Sequence, residues 1–252
     1  MYIENPFKEA EDKLLFAKTL DKLTIYEKNG NPSFTDFLNP IQSAAFMQVL
    51  VKYTKNAKSF GGHDGAERMM IGFGAASEAD FPITPLAVTY NGRFSKAPSH
   101  RDYLGATIGL GLDRGKIGDI RTGEGGAVVY VASDIAYYIA ENMEQVGRTS
   151  VKIVAGKTVE GLEQSGQEKR VTVASLRLDA VLSAALNLSR GKVVQLIDSD
   201  KVFVNWKPAK KTQTLAEGDN VTVRGMGRIV IDTQGGKTKK DRIVLLVTKF
   251  VS

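Results

Sequence analysis

The first 80 residues carry hydrophobic positions at helical spacing. Between residues 9 and 28, apolar side chains recur every three or four positions, which predicts one amphipathic helix. Pro40 is well placed for the first turn of a second helix, and this helix is expected to end before Gly61. A short strand is predicted at residues 69–73. These patterns predict a helical N-terminal region over residues 1–80.

The next 80 residues alternate between strand-like and helix-like patterns. Strands are predicted at residues 86–90, 116–121, 127–131 and 150–154, and helices at residues 99–110 and 133–144. The order βαββαβ is that of ferredoxin-like domains, in which two helices cover one face of a four-stranded antiparallel sheet. RNA-recognition-motif (RRM) domains use this scaffold and stack bases on aromatic side chains. Tyr90 and Tyr130 are the obvious substitutes here, and they leave open whether this RRM-like domain, residues 81–160, contacts RNA.

The last third, residues 171–252, predicts two helices packed on a small curled sheet. The first helix is expected to begin after Ser175 and the second after Ser189, because serine is a good N-cap residue. The apolar side of the second helix leaves Arg190 and Lys192 in its first turn, facing solvent. Strands separated by glycine or basic turns are then predicted at residues 201–206, 220–224, 229–232 and 243–250.

The predicted fold class is therefore α+β with three parts. They are the helical N-terminal region, the ferredoxin-like or RRM-like middle domain, and the helix-pair domain at the C-terminal end. Residues 156–170, between the last two parts, are polar and glycine-rich, which is typical of a linker or an exposed hairpin.

The net charge of +6 is concentrated in the last third. Residues 1–170 hold 20 lysines and arginines against 21 aspartates and glutamates, whereas residues 171–252 hold 14 against 7. The two parts therefore carry charges of −1 and +7. Such segregation is typical of a surface that binds nucleic acid, although a basic surface can also serve solubility alone.

The composition argues against several classes of protein. There is no cysteine, so disulfides, thiolate catalysis and cysteine zinc sites are ruled out, and the two histidines offer few metal ligands. We expect no metal and no other cofactor. No apolar run approaches the roughly 18 residues of a membrane-spanning helix, and the first ten residues lack the layout of a signal peptide. A soluble cytoplasmic protein without a membrane partner is expected.

The last third resembles the S4 (αL-type) RNA-binding domain. The segments that carry the resemblance are 177–182 (RLDAVL), 188–190 (LSR), 193–197 (VVQLI), 201–205 (KVFVN), 217–219 (EGD) and 221–225 (VTVRG). One departure is Asp200, which stands where the family often has glycine, in a turn expected to need a left-handed residue. In the S4 family the two helices form a surface for structured RNA.

The resemblance implies a set of RNA-binding residues in and around the two helices. Arg190 and Lys192 also follow from the pattern itself, because a helix N-terminus with two cations beside it suits a phosphate. The full set of predicted contacts is Arg177, Ser189, Arg190, Lys192, Lys207, Lys210, Lys211, Arg224 and Arg228.

Two upstream segments extend the resemblance to the whole chain. Residues 100–106 (HRDYLGA) and 110–120 (LGLDRGKIGDI) look like the middle segment of the YlmH family. The resemblance implies a helical N-terminal region, an RRM-like domain and a C-terminal S4 domain. It also implies association with the large ribosomal subunit, with rRNA and tRNA as RNA partners, and rescue of stalled nascent chains. A plastid stroma is the alternative location, because one plastid or cyanobacterial relative carries a photosystem-linked name.

Motifs that look like enzyme signatures have simpler explanations. Residues 100–102 (HRD) match a kinase catalytic loop in three letters only, and the glycines of residues 109–115 follow a helix instead of a strand. The segment 177–179 (RLD) resembles the catalytic segment of RNA pseudouridine synthases, but it lies inside the S4 helix, where Asp179 is expected to be a helix-start carboxylate. His63 beside Asp64 fits a polar loop better than an acid–base pair. We expect no enzyme activity.

Three function hypotheses remain at this point. The leading one is a noncatalytic RNA-binding factor that acts on the ribosome or its tRNA. The second is an RNA-modifying enzyme with an active site in the middle domain, for which the sequence offers no catalytic constellation. The third is an adaptor whose N-terminal helices bind a protein partner while the S4 domain holds RNA.

Overall fold

The computed structural model describes residues 3–92, 97–159, 162, 167–205, 207–238 and 241–250. The chain divides into two compact units, Met1–Gln164 and Ser165–Ser252. Within the described residues, no helix is long and apolar enough to cross a membrane, and no group of three or more acidic or histidine side chains is placed to hold a metal ion.

The N-terminal part of the first unit is a helix pair with a small sheet. Its helices are α1 (Ala10–Asn29) and α2 (Pro40–Leu50), and its strands are β1 (Ser33–Phe34), β2 (Ala57–Phe60) and β3 (Met70–Phe73). The strands form an antiparallel sheet in the order β1-β3-β2. The predicted helical region therefore also contains a sheet, and the second helix ends at Leu50, well before Gly61. Of its three strands, only β3 was predicted, at residues 69–73.

The start of α2 follows from its sequence. The Asn39 side chain accepts a hydrogen bond from the Gln42 backbone N–H at 2.9 Å, and the Gln42 side chain accepts one from the Asn39 N–H at 3.2 Å. Pro40 occupies the first turn, where a missing N–H costs nothing. This capping box confirms the predicted start of the second helix.

The middle part of the first unit has the predicted ferredoxin-like order. Its elements are β4 (Ile83–Tyr90), α3 (His100–Gly109), β5 (Ile117–Gly123), β6 (Gly126–Ala132), α4 (Ser133–Asn142), β7 (Gln145–Val146) and β8 (Thr149–Ala155). All pairs are antiparallel, in the order β5-β6-β4-β8-β7. The βαββαβ prediction is confirmed, with β7 as an additional short edge strand.

One face of this sheet packs against α3 and α4, and the other face is partly covered by the N-terminal part. On the second face, Tyr130 is only 5% exposed, and the His63 ring centroid lies 4.5 Å from that of Tyr130. A Cβ on Gly62 would lie 2.6 Å from the Tyr130 ring. Tyr130 is therefore covered by residues 62 and 63 and is not an open platform for a base.

A domain boundary near residue 80 remains a prediction. Side chains from both sides of that position share one buried cluster, which contains Phe37, Met70, Phe81 and Ala132. The two predicted parts are thus packed together through a common core, and the first compact unit contains both.

The second unit is two helices on a six-stranded sheet. Its elements are β9 (Gln167–Val173), α5 (Leu178–Leu186), α6 (Arg190–Asp198), β10 (Val202–Val204), β11 (Lys207–Pro208), β12 (Asn220–Val223), β13 (Gly227–Lys237) and β14 (Ile243–Phe250). The strand order is β11-β10-β12-β13-β14-β9. Leucine and valine side chains of α5, α6 and the sheet form one buried core, with Leu178, Val181, Leu182 and Val193 fully buried.

Strand β9 is an element of the second unit that the sequence prediction missed. It pairs with β14 from Val173 opposite Ile243 to Gln167 opposite Lys249, although residues 156–170 were predicted to be a linker or a hairpin. The Lys169 side chain also donates hydrogen bonds to the carbonyls of Ala184 and Ala185, both at 3.1 Å. The predicted domain start at residue 171 thus lies inside this strand.

Candidate nucleic-acid interface

The N-terminus of α6 has the predicted arrangement for holding an anion. The Ser189 hydroxyl accepts a hydrogen bond from the Lys192 backbone N–H at 3.2 Å, which confirms Ser189 as the N-cap. The side chains of Arg190 and Lys192 are exposed, and nothing lies within 4 Å of where a Cβ of Gly191 would be. A phosphate can therefore approach the first turn, where the helix dipole favours negative charge.

The start of α5 provides a third exposed cation of the second unit. Arg177, and not Ser175, is the N-cap residue of α5. Its Nε donates to the Asp179 carboxylate at 3.0 Å, and its side chain is 51% exposed whereas that of Asp179 is 11% exposed. The hydrogen bond from Arg177 and the positive charges of Arg177 and Arg190 lower the pKa of Asp179, against a partial burial that acts in the opposite direction. Arg177 is therefore bound directly to this carboxylate, and the charge of Arg190 acts on it in the same direction.

We call Arg177, Ser189, Arg190 and Lys192 the helix-end cluster. Its cations and the N-terminus of α6 carry the arrangement that phosphate groups require, namely exposed guanidinium and ammonium groups beside helix N–H groups. Asp179 is the expected helix-start carboxylate, and its pairing with Arg177 was not predicted from the sequence.

The basic turn after β10 contacts the C-terminal end of α6. Lys211 Nζ is 2.7 Å from the Asp198 carboxylate, and Asp198 is the last residue of α6. At about 1.5 Å per residue, the two ends of α6 are about 12 Å apart, so Lys211 marks the end of α6 opposite to the helix-end cluster. Lys210 is exposed. The side chain of Lys207 and the whole of Trp206, the one tryptophan of the chain, lie outside the described residues.

Arg224 and Arg228 differ in accessibility. Arg224 is exposed, with its guanidinium carbon 4.7 Å from the centre of the Phe203 ring. Arg228 is only 5% exposed and stacks on Phe250 at 4.5 Å. The expectation that Arg228 is a surface contact is therefore not supported by its position, since packing against Phe250 buries it. The eight other predicted contacts have not been tested and remain proposals.

Comparison with known proteins places this geometry in a family. Residues 176–221 match the S4 domain family, and residues 76–160 match the family described as "Putative RNA-binding domain in YlmH". The chain is 30% identical over 241 residues to the ribosome-associated protein quality control protein P2 of Bacillus subtilis, covering 92% of this chain and 93% of that one. The chain belongs to the YlmH family. Both matched domains therefore indicate an RNA-binding protein.

A solved structure from the same family is also similar to this chain. It is the cell division protein ylmH from Streptococcus pneumoniae, with 22% identity and a TM-score of 0.49. The similarity covers 62% of this chain and 94% of that one.

The segment typical of the YlmH family has a structural role in the first unit. The Asp119 carboxylate accepts hydrogen bonds from the backbone N–H groups of Glu67 at 2.7 Å and Arg68 at 3.0 Å, and it lies 3.2 Å from His63 Nε2. The Arg68 guanidinium donates to the carbonyls of Phe37 and Ile117. These contacts fix residues 63–68 against β5. His63 thus pairs with Asp119, 56 positions away, and not with the carboxylate of Asp64.

Replacement of Asp119 with alanine should destabilise the first unit. The loss leaves two backbone N–H groups and His63 without their acceptor, so we expect the free energy of unfolding to fall by about 2–4 kcal/mol. Urea unfolding, followed by circular dichroism, measures this free energy. Asp64, the exposed residue that follows His63, provides the control, because Asp64→Ala should change stability by about 0.5 kcal/mol or less. Equal effects of the two variants would contradict the role of Asp119.

The same carboxylate predicts the pH dependence of stability. Burial alone would raise the pKa of Asp119, but hydrogen bonds from His63, Glu67 and Arg68 outweigh burial and lower the pKa below its usual value of 3.8. A depressed folded-state pKa stabilises the protein above the unfolded-state pKa, and this stabilisation is lost as the pH falls through the folded-state value. The wild type should therefore be more stable than Asp119→Ala above about pH 4, and the difference in the free energy of unfolding should shrink only below that pH.

Proposed function

We propose that this chain is a noncatalytic factor that binds structured ribosomal RNA through its S4 unit. The observation that carries the proposal is the helix-end cluster, in which the exposed side chains of Arg190 and Lys192 lie in the first turn of α6 and the exposed Arg177 lies at the start of α5. The +7 charge of residues 171–252 supports it, because phosphate neutralisation provides most of the affinity of such a surface.

Recognition is by the shape and phosphate geometry of the RNA, with little reading of base sequence. The helix-end cluster offers cations and backbone donors, which suit phosphate and ribose contacts. Reading of RNA sequence normally needs unstacked bases held on aromatic side chains. Phe203 and Phe250 are each stacked by an arginine, so these two rings already have a partner on one face.

The target that we propose is the large ribosomal subunit, where rRNA and tRNA meet, during quality control of stalled ribosomes in the cytoplasm. The Bacillus subtilis relative, which this chain matches over almost its whole length, is named a ribosome-associated protein quality control protein. The RRM-like domain would supply a second contact and raise the avidity. Because Tyr130 is covered by residues 62 and 63, that contact uses a surface other than the Tyr130 face.

A protein partner on the N-terminal helices is a second candidate function that one observation favours. Leu14 and Ile25 on α1, and Ile41 on α2, are between 45% and 57% exposed. Exposed apolar side chains on neighbouring helices are typical of interaction surfaces when they form a continuous patch. An adaptor role is compatible with RNA binding by the S4 unit. The pair of His63 and Asp119 holds residues 63–68 against β5, so it offers no support for an RNA-modifying activity in the first unit.

Sedimentation of tagged protein through sucrose gradients tests the ribosomal proposal. At low salt, we expect the protein to migrate with the large ribosomal subunit, because many weak phosphate contacts act together there. At high salt, and in the double variant Arg190→Ala/Lys192→Ala, we expect it at the top of the gradient. Recovery only with messenger RNA, or as free protein at every salt concentration, would contradict a ribosomal target.

A further inference from the structure

One carboxylate binds a cation of the helix-end cluster. Asp179 accepts a hydrogen bond from Arg177 Nε at 3.0 Å, and the positive charge of Arg190 also lowers its pKa. A carboxylate in this position reduces the local positive potential. If attraction of phosphate depended on net charge alone, Asp179 would weaken the interface.

We propose that Asp179 is a positioning residue that holds Arg177 by its Nε edge, so that the remaining guanidinium N–H groups face an RNA phosphate. This inference rests on the proposed function. A guanidinium has five N–H donors in a fixed planar fork. When a carboxylate occupies the Nε, the outer donors are left in one orientation for bidentate binding of a second anion.

The backbone of Arg177 and the side chain of Asp179 are both restricted by their surroundings. The Arg177 backbone forms a bridge with Thr214, and the next N–H, of Leu178, donates to the Gln213 carbonyl at 2.9 Å. Asp179 lies in the first turn of α5 with 11% of its side chain exposed, whereas half of the Arg177 side chain is exposed. The carboxylate is therefore held by the core, and the cation that it holds projects into solvent.

Fixing the side chain matters because a free arginine loses rotamer entropy on binding. The loss is about 0.5–1.5 kcal/mol for each rotamer-rich side chain that an interface immobilises. In the folded protein, Asp179 has already restricted Arg177 before RNA arrives. Removing the carboxylate charge should therefore weaken RNA binding, although it makes the protein more positive.

The test compares charge-neutral variants in the full chain with a synthetic RNA hairpin as the probe. Asp179→Asn keeps the size of the side chain and removes its charge. Glu217→Gln makes the same change at an exposed acid of the same unit and serves as the matched control. Both are measured in the wild type and in an Arg177→Ala background, with the affinity determined over a series of salt concentrations and the melting temperature recorded for each variant.

We expect Asp179→Asn to weaken binding by about three- to tenfold, which is the range for partial loss of one charge-assisted contact. Glu217→Gln should leave the affinity unchanged or raise it slightly. The slope of log K against log salt should shrink in Asp179→Asn by at most about 0.7–0.9, the value for complete loss of one phosphate contact. In the Arg177→Ala background, Asp179→Asn should have no further weakening effect, because the side chain that it positions is absent.

Other outcomes overturn the inference in distinguishable ways. Tighter binding by Asp179→Asn, as for Glu217→Gln, would show that only net charge matters. Equal weakening in both backgrounds would show that Asp179 acts on folding and not through Arg177. If Arg177→Ala and Arg190→Ala/Lys192→Ala both leave the affinity unchanged, the proposed interface itself is wrong, and the positioning role fails with it.

Discussion

Raising the salt concentration from about 50 to about 200 mM should weaken RNA binding by about 100- to 500-fold. Each phosphate that a cation neutralises releases a condensed counterion, and the slope of log K against log salt is about 0.7–0.9 for each such contact. If about five phosphates are neutralised, the slope is about −3.5 to −4.5. Electrophoretic mobility shifts with a structured RNA, repeated over the salt series, measure this slope.

Separate fragments locate the charge responsible for this salt response. Residues 165–252 carry the whole of β9, which pairs with β14, so a fragment that starts at residue 165 keeps the sheet complete. This fragment should retain most of the slope, whereas the first unit, with its balanced charge, should bind weakly. A flat salt response of the full chain would refute the electrostatic basis of the interface.

The elements that the sequence predicted well are those with a strong local signal. The middle domain gave the order βαββαβ because each strand or helix is long enough to show its own period. The start of α6 was equally clear, since Ser189 precedes an apolar face that begins with Val193. Asp200 has a φ of 54°, as expected for the turn where the S4 family often has glycine.

The elements that it missed depend on partners distant in sequence. Residues 167–170 of strand β9 were predicted to belong to a linker or an exposed hairpin because they are polar, and the pairing of β9 with β14 joins residues 70 to 82 positions apart. Strands β1 and β2 have two and four residues, and both exist only through their pairing with β3, which for β1 joins residues up to 40 positions apart. Local signals cannot show such pairings, which tertiary contacts alone stabilise.

The interface shows the same division between local and distant information. The first turn of α6 could be predicted because capping and charge are local properties of residues 189–192. The burial of Arg228 could not, because it depends on Phe250 in the neighbouring strand. The pairing of Arg177 with Asp179 spans only two positions, and the spacing in the RLD segment was a signal that could have indicated it.

Replacing Arg190 and Lys192 together with alanine should lower the affinity for structured RNA at least tenfold. Each charge-assisted hydrogen bond is worth about 1.5–3 kcal/mol, so the loss of two reaches about 100-fold or more if both bind phosphate directly. Both side chains are exposed, and exposed substitutions usually change stability by about 0.5 kcal/mol or less. The melting temperature should therefore stay nearly unchanged.

The control for this double variant removes the same charge from the other unit. Lys18 and Lys28 are exposed on α1, and Lys18→Ala/Lys28→Ala lowers the net charge by two without touching the S4 unit. If RNA binding followed net charge alone, both double variants would weaken it equally. Under the proposal, the first turn of α6 binds phosphate at short range, where the helix dipole adds to the cations, so only Arg190→Ala/Lys192→Ala should cause a large loss. A fall in melting temperature that accompanied the loss of binding would instead indicate that these side chains support the fold.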